Sequence, residues 1–192
     1  MSLTVVPKAL FGGRESFDSL SCALDSIYVE PNGYQQAINL VTQYGLQKAR
    51  LFFIGNGGSA AIASHMAIDW CKNAGFATFG PSDAAHMTCI GNDWGFENVF
   101  SVQIARHGQL GDVLFAISSS GMSEDILHAV QTAHEKQMNV ITLSGFGEGN
   151  FLRTKGQVNF YVPTIQYGTV EIAHLAILHS ILDEFITEEK EH

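Results

Sequence analysis

Ser118-Ser119-Ser120-Gly121-Met122-Ser123 places four hydroxyls in one turn, directly after the apolar run Val113 to Ile117 and directly before a segment of helical spacing. Hydroxyls can donate to an oxyanion, Gly121 lets the backbone come close to it, and the first turn of a following helix offers unpaired N–H groups. Phosphate is the natural guest. No lysine ends the turn, so it is not a Walker-type loop, and a monophosphate ester fits it better than a nucleoside triphosphate with magnesium. A second turn, Gly55-Asn56-Gly57-Gly58-Ser59, likewise follows an apolar run, Leu51 to Ile54, and opens a helix. Taken singly, each turn has an ordinary reading, with Ser123 as an N-cap and the glycines as punctuation before a helix. Two such turns in one chain point more strongly to a ligand.

The elements that must position these turns can be read from apolar spacing. Phe17, Leu20, Leu24 and Ile27 recur at helical intervals, and Pro31 opens a second helix carrying Ile38 and Val41, so the chain is expected to begin with a helical hairpin over 14–46. Leu51 to Ile54, Val113 to Ile117, Val140 to Leu143 and Val158 to Val162 read as strands. Helices are expected over Ala60 to Cys71, Glu124 to Glu135 and about Thr169 to Thr187. Short, nearly continuous apolar strands suggest burial on both faces, hence a parallel sheet between layers of helices. The last helix is apolar around much of its circumference, which predicts packing against another subunit. No linker or composition break divides the chain, and residues 1–192 are expected to form one domain.

Bulk properties remove several function classes. A net charge of −9 without a basic or aromatic stripe disfavours nucleic acid, although helix N-termini can still hold an anionic metabolite. Three cysteines without C-x-x-C spacing disfavour a disulfide framework or a cysteine-based metal site. No window approaches the ~20 apolar residues of a membrane span, and no signal-peptide pattern is evident. A cytoplasmic protein is expected.

Several motifs in order, Gly55-Asn56-Gly57-Gly58-Ser59 with His65 six residues later, Cys89-Ile90-Gly91-Asn92-Asp93, Gly111-Asp112-Val113-Leu114, Ile117 to Ser123, and the closing His174 and His179, resemble the sugar isomerase (SIS) domain family over nearly the whole chain. The resemblance is to its bacterial members that convert sedoheptulose 7-phosphate to D-glycero-D-manno-heptose 7-phosphate for surface polysaccharides. It implies a three-layer αβα sandwich and a homotetramer with active sites at subunit interfaces. It also implies phosphate gripped by Ser118, Ser119, Ser120 and Ser123, sugar contacts from Asn56, Gly57 and Ser59, and a further polar site position at Asp93.

The same resemblance carries a metal site. Zinc in several members sits on two histidines, a glutamate and a glutamine, which correspond here to His65, Asp69, Glu171 and His179. This chain departs from the pattern in having Asp69 for the catalytic glutamate, Glu171 for the glutamine, and Ile172 for the glutamate that follows. An aldose–ketose interconversion through an enediol needs a base, an acid at the developing oxyanion and preferably a cation. Asp69 is then the base or a metal ligand, Glu171 a replacement base, and His179 the acid. His65 and Asp69, at i and i+4, share a helix face, whereas Glu171 and His179 are separated by a rise of about 12 Å and must reach toward one another or come from different subunits.

For other candidates the structural reading prevails: His107, His128 and His134 at helix surfaces or ends, Met66, Trp70 and Phe76 in the core, and Asp112 in its turn. The alternatives within the fold class are a non-catalytic tetramer that binds a replication initiator, an isomerase of a different ketose phosphate, and a regulatory sugar-phosphate-binding module. The first lacks the late histidine that this chain keeps as His179. The last normally accompanies a DNA-binding domain, of which the sequence gives no sign.

Overall fold

A computed structural model describes residues 9–43, 49–81 and 83–191. Two helices, α1 (Ala9–Asp25) and α2 (Gly33–Thr42), precede β1 (Arg50–Gly55), α3 (Gly58–Ala74), β2 (Ala77–Phe79), α4 (Ala84–Trp94) and α5 (Ser101–His107). Then follow β3 (Val113–Ser118), α6 (Glu124–Glu135), β4 (Asn139–Gly145), β5 (Val158–Val162) and α7 (Tyr167–Glu191). The expected helical hairpin is present, and its positions 44–46 lie outside the described residues. Its second helix begins at Gly33, just after Asn32 in a left-handed conformation, rather than at Pro31.

All five strands are parallel in the order β2-β1-β3-β4-β5. Strand pleating sends alternate side chains to opposite faces, and each face is covered by helices. Phe53, Phe115, Ile141 and Phe160 pack on one side with Ile38, Met66, Trp70, Ile177 and Phe185. Phe52, Ile54, Leu114 and Val140 pack on the other with Ile104, Ile126 and Val130. This two-sided burial is the expected three-layer αβα arrangement. Each large side chain so buried contributes about 1.5–3 kcal/mol. Phe53 and Phe115 stack across β1 and β3 with centroids 4.6 Å apart. Tyr28 bridges Tyr161 antiparallel, fastening the first helices to β5.

Trp70, Met66 and Phe76 are core residues, as their spacing implied. Asp112 serves its turn by accepting from the backbone N–H of Arg50 and of Gln109, each at 2.9 Å, and by pairing with the Arg50 guanidinium at 2.7 Å. The order 2-1-3-4-5 reverses direction between β1 and β3. Open α/β sheets leave a crevice beyond the strand ends at such a switch point, and both candidate turns flank it.

Candidate active site

The crevice is a pocket lined by Asn56, Ser59, Ser118, Ser119, Ser120, Ser123, Tyr167 and Glu171, with Gly57, Gly58 and Ile117. Its volume is about 250 Å³. Both turns therefore meet in one cavity. Gly121 adopts φ +62°, and a side chain there would also collide with Asn150, so the tight serine turn depends on glycine at this position. Its N–H donates to Ser118 Oγ at 3.1 Å, and the Met122 N–H donates to Ser120 Oγ at 3.2 Å.

Ser123 occupies the N-cap position of α6, yet its hydroxyl makes no capping bond and lies 3.3 Å from Ser118 Oγ. Ser119 Oγ is buried and has no protein partner. A buried hydroxyl left unpaired costs about 1–3 kcal/mol.

The first turn of α6 is less open than the sequence implied. Asp125, its second residue, is buried, and its Oδ2 accepts from Asn56 Nδ2 at 2.8 Å. Burial pushes its carboxyl above the ordinary carboxylate range, opposed by hydrogen bonds from Asn56 and from the backbone N–H groups of Ile126 and Asp125, and by nearby His128. Two amides expected to face the ligand are therefore partly engaged by this chain's own carboxylate. Asp125 escaped sequence reasoning because an acid in a first helical turn looks like an ordinary dipole companion.

Helices α3 and α7 run side by side in the same direction. Gly58 meets Glu171 at the pocket, His65 meets His179 further on with ring centroids 5.3 Å apart, and Trp70 meets Phe185 beyond. His65 Nε2 lies 3.2 Å from Asp69 Oδ2, and ligand atoms of His65, Asp69 and His179 all lie within 4.8 Å of one another. Two imidazoles and a carboxylate so gathered suit a catalytic zinc with an open position. Glu171 does not join them. Its carboxylate lies against Gly58 in the pocket, about 12 Å of helix rise from His179. The implied four-residue metal set is thus divided in this chain into a triad and a pocket carboxylate. Asp93, exposed on α4, does not line the pocket either.

His174 lies between these groups in sequence but is fully buried, with Nε2 3.1 Å from the Ser144 carbonyl and Nδ1 unpartnered. Burial lowers its pKa from 6.5 to about 4, so the neutral ring is the native form. Its stabilising contribution is therefore complete above pH 6.5 and is lost as pH falls toward about 4. Urea unfolding at pH 7 and pH 4.5 is expected to differ by roughly 2 kcal/mol from this residue, and His174→Gln should flatten that part of the dependence.

Parallel strands in this order, with the candidate turns after β1 and β3 and a long closing helix, define a doubly wound α/β protein, and the chain belongs to the SIS domain family, which matches residues 19–145. Among its relatives is the phosphoheptose isomerase of Laribacter hongkongensis, 33% identical over 174 residues, 86% of this chain and 89% of the relative. Phosphoheptose isomerase GmhA from Neisseria gonorrhoeae has a similar structure, with a TM-score of 0.80 at 31% identity over 94% of this chain and 97% of that one. A phosphoheptose isomerase from Francisella tularensis superposes with a TM-score of 0.83 at 28% identity, covering 95% of this chain and 100% of the other. Among the described residues no helix is long and apolar enough to cross a membrane.

Proposed function

We propose that the protein is a cytoplasmic aldose–ketose isomerase that converts sedoheptulose 7-phosphate to D-glycero-D-manno-heptose 7-phosphate for bacterial surface polysaccharides. The observation that carries this reading is the pocket that gathers Ser118, Ser119, Ser120 and Ser123 of the serine turn together with Glu171. Serine hydroxyls at Ser118, Ser119, Ser120 and Ser123 hold the phosphate, and Asn56, Gly57 and Ser59 receive the sugar. Glu171 takes the proton from C1, the C1–H electron pair becomes the C1=C2 bond, and the carbonyl oxygen on C2 gains a proton from His179. Return of a proton to C2, with loss of the O1 proton, leaves the aldose. Glu171 is preferred to Asp69 as the base because it lines the pocket, whereas Asp69 stands beside His65.

His65, Asp69 and His179 would hold a zinc ion, which when bound polarises the substrate's oxygens. The 12 Å interval on α7 is closed in a homotetramer where the triad of one subunit serves the pocket of another. In support, Ile68 on α3 and Ile172 on α7 are large apolar side chains left exposed, which a second copy would cover.

The test is incubation with ketose monophosphates of five, six and seven carbons, with zinc or with a chelator, followed by detection of aldose. Conversion of the seven-carbon substrate, lost on chelation and restored by zinc, is expected. Conversion of none would favour a non-catalytic scaffold. His65→Ala is expected to weaken zinc binding by at least about 100-fold, read by competition with a chromophoric chelator. A monomeric mass in solution would contradict the shared site.

A further inference from the structure

Asp125 joins the two ligand turns. It stands at the start of α6, behind the serine turn, and accepts from the side-chain amide of Asn56, in the glycine turn 69 residues earlier. Both partners belong to loops that form the pocket, and Asn56 itself lines it. An ionised carboxylate can only accept, so it selects the N–H end of the Asn56 amide and turns Oδ1 away from itself. The amide oxygen is then an acceptor for the ligand. Acceptors favour hydroxyl hydrogens and oppose phosphate oxygens. Meanwhile the carboxylate engages the Asp125 and Ile126 amides and adds negative charge beside the phosphate turn, which disfavours a bare anion.

We infer that Asp125 is a positioning residue that fixes the Asn56 amide with its carbonyl toward the substrate's hydroxyls, so that the pocket selects polyol monophosphates over free phosphate. This deepens the proposed isomerase reading and rests on the same pocket. The bland role, a helix-terminal acid, would affect only the stability of α6. Asp125→Asn preserves shape but allows the two amides to pair in either sense, so the preference for hydroxyl donors disappears while the loops stay joined.

Calorimetric titration of the full chain with inorganic phosphate and with sorbitol 6-phosphate reads this directly. In the wild type the polyol ester should bind more tightly. In D125N the ratio of the two affinities should fall about tenfold, the upper end of the scale of one neutral hydrogen bond. Ketose-phosphate turnover should show KM raised by a similar factor with kcat little changed. Asn56→Ala should reduce the ratio equally, and the double variant should add no further loss, because both changes remove one interaction. Additive losses, or a ratio unchanged within about twofold in D125N, would overturn the assignment. If D125N does not fold, N56A alone decides: an unchanged ratio overturns the proposal. The binding measurements need no catalysis, so failure of the wild type to isomerise any ketose phosphate would count against the isomerase reading alone.

Discussion

Glu171→Gln is expected to lower kcat for ketose–aldose interconversion by about 10²–10⁴-fold, the usual contribution of a positioned general base. Glutamine keeps the size of the side chain over Gly58 but cannot accept the C1 proton. Affinity for inorganic phosphate should not weaken, because the serine turn is untouched and removal of one negative charge from the pocket favours the anion. Asp69→Asn provides the contrast. As a ligand beside His65, Asp69 should be needed for zinc, and added metal should partly restore activity to its variant but not to E171Q. Near-wild-type turnover in E171Q together with an inactive, zinc-loaded D69N would move the base to Asp69.

The division between Glu171 and the triad marks the limit of what the sequence discloses. Apolar strands running into glycine or serine turns are local signals, and β1, β3 and α6 lie where those signals put them. By contrast, β2 is three partly exposed residues, and α4 buries only Ile90, so neither carries the periodicity that announces an element. What starts α4 is local: the Asp83 side chain accepts from the N–H groups of Ala85 and His86 at 3.0 and 3.1 Å. The site follows the same division. An i,i+4 pair such as His65 and Asp69 is legible because both side chains share one helix, and the nearness of His179 came only through family resemblance. Which residue of α3 opposes Glu171 is set by the register between two helices 113 residues apart at Gly58 and Glu171, and spacing within either helix carries no record of it. Asp125 and Asn56 are hidden for the same reason.

That helix register gives the second large effect. Gly58→Ala is expected to reduce kcat/KM by about 100-fold, the scale of a 1 Å misplacement of a reacting group. A Cβ at Gly58 would occupy the space of the Glu171 carboxyl group, so the carboxylate must swing out of the pocket. Stability should not fall in proportion. Alanine has fewer unfolded conformations to lose than glycine, which at this first position of α3 offsets part of the rearrangement. Inorganic phosphate should bind as before, because the serine turn lies on the other loop. Loss of turnover with retained melting temperature and phosphate affinity therefore isolates the placement of Glu171 from folding and anchoring. Combining the substitutions sharpens the point: in an E171Q background, where no base remains to be displaced, G58A should add little further loss. A full additional 100-fold loss there would mean that the new methyl group obstructs the sugar itself, and that Glu171 is not the group Gly58 exists to admit.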